Sequence, residues 1–129
     1  MESSFTGTPS IMIVDDDPLV RRSVIDTLES FGLSCRGHGS ADSYLRSGGL
    51  ETTSCLVLDV NFPTMGGLEL QRRVVESGHS FPVIFYSGDT QPAIEQQARL
   101  AGAAEFISKA TPPAQLVEAI NRALSARSR

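Results

Sequence analysis

Apolar residues recur along this chain in two rhythms. Ile11-Met12-Ile13-Val14, Cys55-Leu56-Val57-Leu58, Phe81 to Tyr86 and Ala103 to Ile107 are short runs with little polar alternation. Such runs suit parallel strands buried on both faces. Leu33-Ser34-Cys35-Arg36 alternates instead, as an edge strand does. Between the runs the spacing turns helical: Val20, Val24, Leu28 and Phe31; Ala41, Tyr44 and Leu45; Leu68, Leu70, Val74 and Val75; Ile94, Ala98 and Ala101; Leu116, Ile120 and Leu124. Asp17 and Ser40 cap the first two helices, and Pro18, Pro92 and Thr111-Pro112 open the first, fourth and fifth. Gly32, Gly48-Gly49, Gly78 and Gly102 stop the first four. Five strands alternating with five helices predict an α/β fold, a doubly wound parallel sheet with strand order 2-1-3-4-5.

In such a sheet, ligands gather at the carboxyl ends of the strands. The first strand ends in Asp15-Asp16-Asp17, the third in Asp59, the fourth in Ser87 and the fifth in Lys109. Order 2-1-3-4-5 sets strands one and three side by side, so Asp15, Asp16 and Asp59 converge while Asp17 is used as a cap. Carboxylates that close call for a cation. Magnesium takes oxygen ligands, and the Asn61 backbone carbonyl, two residues past Asp59, is a candidate fourth. Asp59 is then a carboxylate nucleophile able to form an acyl phosphate. Lys109 supplies a point charge, and the Ser87 hydroxyl one hydrogen bond to a phosphoryl oxygen. Singly, these residues read as a strand-ending aspartate, a surface lysine and a turn serine. Their coincidence at successive strand ends favours phosphoryl chemistry.

Composition narrows the field further. The 129 residues suit one domain. A net charge of −4 and a pI near 5.1 argue against direct nucleic-acid binding. Cys35 and Cys55 fall in strands and read as small buried hydrophobes, while His38 and His79 lack zinc-ligand spacing. No apolar run reaches membrane-spanning length, and Met1 to Ser10 is polar, so a cytoplasmic protein is expected. The expected organisation is a flexible lead over 1–10, one domain over 11–125, and a polar tail or linker start over 126–129.

Val14-Asp15-Asp16, Leu58-Asp59 with Pro63 and Gly67, Ser87-Gly88, Gly102-Ala103 and Lys109 together resemble the receiver domain of bacterial two-component response regulators. The spelling from Leu58 to Arg73 is similar to FixJ-type regulators, which join a receiver to a helix-turn-helix DNA-binding domain. The resemblance implies a flavodoxin-like receiver fold that accepts phosphate on Asp59 from a sensor histidine kinase. It implies Mg2+ on Asp15, Asp16, Asp59 and the Asn61 carbonyl, Ser87 as switch hydroxyl, Phe106 as switch aromatic and Lys109 as phosphate contact. Phosphorylation would switch the face made by the Pro92 helix, the fifth strand and the last helix. A phosphorylation-dependent homodimer and control of transcription are the implied outputs. Such a domain is no enzyme in the ordinary sense, although it catalyses its own phosphorylation and dephosphorylation. Ala110 stands where many receivers carry proline, Phe62 where methionine is usual, and Ser87 where threonine is commoner. The alternative is a magnesium-dependent phosphohydrolase using an aspartyl-phosphate intermediate, but haloacid-dehalogenase-like enzymes of that kind place a second aspartate where this chain has Asn61. A flavodoxin-like cofactor binder is disfavoured by Asp15-Asp16-Asp17, which would repel a phosphate. Asn61 and Asp89 flank the expected path of water and are candidate tuners of phosphate hydrolysis.

Overall fold

The computed structural model describes residues 10–60 and 66–127. Strands β1 (Ser10–Val14), β2 (Ser34–His38), β3 (Cys55–Leu58), β4 (Val83–Ser87) and β5 (Glu105–Ser108) form one parallel sheet in the order β2-β1-β3-β4-β5. That is the expected order. Ile11 pairs with Cys35 on one side and Cys55 on the other, and Val14 with His38 and Leu58. Ser87 pairs with Ser108 at the far side of the sheet. Helices are α1 (Pro18–Ser30), α2 (Ala41–Arg46), α3 (Gly49–Thr52), α4 (Gly67–Glu76), α5 (Pro92–Leu100) and α6 (Ala114–Arg127).

Each strand sends alternate residues to opposite faces. Ile11, Ile13, Cys55, Val57, Ile84 and Tyr86 pack against α1 and α6 through Val24, Leu28, Leu116 and Ile120. Met12, Val14, Leu56, Leu58, Val83 and Phe85 pack on the other face with Tyr44, Leu70, Val74 and Ala98. Both faces are therefore covered, which explains why β1, β3 and β4 read as near-continuous apolar runs. β2 is one edge of the sheet, with Ser34, Arg36 and Gly37 exposed, and β5 is the other.

Three details differ from the sequence expectation. Among the described residues there are six helices where five are expected: Gly48, at φ 78°, ends α2, and Gly49 opens the further turn α3. The last helix begins at Ala114, past Pro112 and Pro113, whose carbonyls accept the N–H groups of Gln115 and Leu116 at 3.0 and 2.9 Å. It then runs to Arg127, into the stretch expected as tail. Phe31 and Val75, expected on inner faces, are exposed. Phe31 is the C-cap of α1, past the last helical turn, and Val75 lies about 100° around the helix from buried Val74. Among the described residues, no helix is long and apolar enough to cross a membrane.

Candidate functional site

The acidic run after β1 divides its labour. Asp17 Oδ1 accepts the N–H groups of Leu19 and Val20 at 2.9 and 3.4 Å, capping α1. This satisfies donors that a helix start leaves open and frees Asp15 and Asp16 for other work. Asp15 is buried and Asp16 exposed. Asp59, at the end of the neighbouring β3, is buried, and its N–H donates to the Val14 carbonyl at 3.2 Å. Carboxylate oxygens of Asp15, Asp16 and Asp59 all lie within 4.8 Å of one another.

Lys109 crosses the mouth of the sheet from the end of β5. Its Nζ donates to Asp59 Oδ2 at 3.0 Å and lies 2.8 Å from Asp15 Oδ2. None of the peptide bonds among the described residues is cis, so Lys109–Ala110 is trans, and the lysine reaches both carboxylates with alanine in place of proline. Its loop is held elsewhere. Lys109 N–H donates to the Ser87 carbonyl at 2.9 Å, Ala110 N–H to Ser108 Oγ at 3.0 Å, and Tyr86 O–H to the Thr111 carbonyl at 2.9 Å.

Burial pushes the Asp15 carboxyl above the usual carboxylate range, against the opposing pull of the Lys109 ammonium and the Asp17 N–H. At Lys109, burial pulls the pKa down, but hydrogen bonds to Asp15 and Asp59 outweigh it and the net shift is upward. Lys109 has two carboxylate partners, whereas at Asp15 burial outweighs the one ammonium that it shares with Asp59. Three carboxylates converging at one point offer the hard oxygen donors that magnesium takes.

Ser87 is fully buried, and its Oγ accepts the Asp89 N–H at 3.0 Å. By strand alternation Ser87 and Phe106 face the α4–α5 side of the sheet, where Phe106 tilts against Phe85 with centroids 6.0 Å apart. Asp15, Asp59 and Lys109 follow the opposite parity. The bonded cluster thus joins Asp15, Asp59 and Lys109, with Ser87 and Phe106 beside it on the other face. Asp89 Oδ1 accepts the Gln91 N–H at 3.3 Å, which makes it a turn-builder ahead of α5. Asn61 lies outside the described residues, as do Phe62 and Pro63.

Arg21 escaped the sequence reading, and Gly67 entered it only as part of the receiver resemblance. Arg21 Nη1 donates to the Asp15 carbonyl at 2.6 Å, although its helical position marks it as ordinary surface charge. Gly67 has its N–H on the Val60 carbonyl at 2.7 Å, and a Cβ there would collide with the Asp59 carbonyl oxygen. The Gly66-Gly67 pair was a readable signal of close approach; Arg21 had none.

Residues 11–121 match the family model described as the response regulator receiver domain. Among known proteins, the chain is 38% identical over 114 residues to the response regulator protein TmoT of Ectopseudomonas mendocina, covering 88% of this chain and 52% of that protein. It is 33% identical over 114 residues to the transcriptional regulatory protein FixJ of Azorhizobium caulinodans, covering 88% and 54%. The chain spans about half the length of these relatives. The crystal structure of FixJ-N matches with a TM-score of 0.83 at 30% identity, covering 92% of this chain and 95% of that one. The Vibrio cholerae chemotaxis protein CheY4 matches at 0.82 and 25%, covering 92% and 100%. Sheet order, matched span and sequence similarity agree, and the chain belongs to the response regulator receiver domain family.

Proposed function

We propose that this domain takes a phosphoryl group onto Asp59 from a phosphorylated histidine of a sensor kinase, with Mg2+ held by Asp15, Asp16 and Asp59. The observation that carries the reading is Lys109 Nζ, 2.8 Å from Asp15 and 3.0 Å from Asp59 across the carboxyl ends of three strands. An Asp59 carboxylate oxygen attacks phosphorus as the phosphorus–nitrogen bond breaks. The imidazole nitrogen keeps that electron pair, and an acyl phosphate results. The transition state is charge-spread, so the work falls to positioning and electrostatics. Bound magnesium would neutralise charge on the phosphoryl oxygens. Lys109 adds a point charge on the β5 side. Ser87, accepting the Asp89 N–H, keeps its own proton to donate to a phosphoryl oxygen.

Phosphorylation adds about −1.5 to −2 charge at Asp59. Ser87 is drawn toward it, and Phe106, on the same sheet face, turns into the space. The α5-β5-α6 face is then the output surface and seat of a phosphorylation-dependent homodimer. Residues 11–125 act as the receiver part of a longer transcription regulator, a reading supported by the FixJ similarity and by the half-length coverage of the relatives. The test is incubation with acetyl phosphate and Mg2+. One phosphoryl mass is expected on the wild type and none on Asp59→Asn. Labelling of Asp59→Asn at the wild-type rate, or labelling indifferent to chelation, refutes the reading.

A further inference from the structure

Asp15 is held at four points. Its N–H donates to the His38 carbonyl at 3.1 Å, and its carbonyl accepts Arg21 Nη1 at 2.6 Å. Its carboxylate takes the Asp17 N–H on Oδ1 at 2.9 Å and has Lys109 Nζ 2.8 Å from Oδ2. The first bond extends the sheet, the third builds the turn, and the fourth belongs to the phosphoryl site. The Arg21 bond does none of these.

Arg21 is half-buried in α1, one turn past the Asp17 cap, and reaches across edge strand β2. Its path crosses the bare backbone of Gly37 and Gly39. A Cβ at Gly37 would meet Arg21 Cγ and Cδ at 2.9 Å and Ile25 Cδ1 at 2.8 Å; one at Gly39 would sit 3.4 Å from Arg21 Nη1. Glycine inside a strand weakens it and often marks a close approach by another group. Here the group approaching is the arginine. The carbonyl it grips belongs to the Asp15–Asp16 peptide, and the plane of that peptide sets the direction in which Asp16 leaves β1.

We propose that Arg21, seated on Gly37 and Gly39, is the positioning residue for the Asp15–Asp16 pair, holding their connecting peptide so that both carboxylates serve one divalent cation. The proposal rests on the magnesium reading above. Two physical effects of the guanidinium oppose each other. As a charge, Arg21 repels a second cation, so its removal would tighten magnesium binding. As a clamp, it fixes a ligand, and loss of a group that orients metal ligands typically costs about 10–100-fold in affinity. The sign of the change separates them.

The experiment is a calorimetric titration of the unphosphorylated domain with Mg2+ alone at fixed ionic strength. It compares wild type, Arg21→Gln, Gly37→Ala and the double variant, with Asp16→Ala as reference. Gly37→Ala keeps the charge and presses on the arginine stem and on the Ile25 Cδ1 methyl, so it also covers any failure of Arg21→Gln to fold. Each single variant is expected to weaken binding about tenfold, with thermal stability in chelator nearly unchanged. The double variant should be no weaker than Arg21→Gln, since both changes act through one side chain. Equal or tighter binding by Arg21→Gln, unchanged binding by Gly37→Ala, or additive losses in the double variant overturns the proposal. If wild type binds no Mg2+, or Asp16→Ala binds like wild type, the magnesium reading falls and the proposal falls with it. A wild type that binds beside an unaffected Arg21→Gln sinks the positioning role alone.

Discussion

At the scale of single residues, the shared ammonium of Lys109 has unequal consequences. Burial raises the Asp15 pKa above 3.8 despite Lys109, so the folded state holds that proton to a higher pH than the unfolded chain. Stability therefore falls as pH climbs from 3.8 through the folded value, and the penalty persists at neutral pH. Asp15→Asn removes it and keeps an Oδ1 acceptor for the Asp17 N–H. The metal-free variant should be more stable than wild type at pH 7, with the advantage vanishing below 3.8. Urea midpoints against pH in chelator measure this. Lys109 behaves oppositely: its raised pKa contributes stability below 10.5 that is lost as pH rises through the folded value. The cysteines provide a further check. Burial first, then Glu29 and Asp26, pushes the Cys35 thiol up to about 11 from 9.0, and burial alone pushes Cys55 to about 12. Because only the thiolate reacts, Cys35 should alkylate at about one hundredth the rate of an ordinary thiol at pH 8. Mass spectrometry of iodoacetamide-treated native and urea-unfolded protein reads the difference.

At the scale of elements, α4 is the helix that follows Asp59 in the chain. Its start is pinned by Gly67 N–H on the Val60 carbonyl at 2.7 Å. Gly67→Ala would drive a methyl into the Asp59 backbone, an overpacking that costs about 1–3 kcal/mol. It should lower both the thermal midpoint and the rate of phosphorylation. Further along α4, Gln71 is buried, with Nε2 donating to the Ala98 carbonyl of α5 at 3.4 Å and Oε1 without a hydrogen bond among the described residues. That carbonyl already accepts the Ala103 N–H at 3.0 Å, so it does not depend on Gln71. An unsatisfied buried acceptor costs about 1–3 kcal/mol, more than one long hydrogen bond returns. Gln71→Leu, of similar volume, should raise the urea midpoint; an unchanged or lower one would show that the α4–α5 bond outweighs the orphaned oxygen.

For the whole molecule, cation binding and association are the measurable consequences. A ligand that binds only the folded state stabilises it by about 2.7 kcal/mol at a hundredfold excess over Kd. Mg2+ should therefore raise the thermal midpoint of wild type and leave that of Asp16→Ala in place. Ser87→Ala removes the buried hydroxyl on the Phe106 face of the sheet but leaves Asp59 and Lys109 untouched. It should accept phosphate yet fail to associate on phosphorylation, with light scattering reporting the difference. Equal association of phosphorylated wild type and Ser87→Ala would remove Ser87 as the switch.

The sheet was legible in the sequence because its strands are buried on both faces. Burial on both sides forces continuous apolar runs such as Cys55 to Leu58, and the connections between parallel strands force a helix after each. Strand order then placed Asp15 and Asp59 at adjacent strand ends, which is a matter of topology alone. What the sequence could not determine lies where several elements meet. Phe31 is outside because a helix ends one residue earlier than its pattern, and Gln71 is inside because α5 packs across it. Lys109 reaches Asp15 and Asp59 over a trans peptide because Tyr86, Ser87 and Ser108 hold its loop, a support drawn from two strands. Arg21 meets the acidic pair only because β2 lies beside β1 with glycines facing the helix. Periodicity records which way a residue faces within its own element; which neighbour it finds there depends on the packing of the others, and that only the tertiary structure decided.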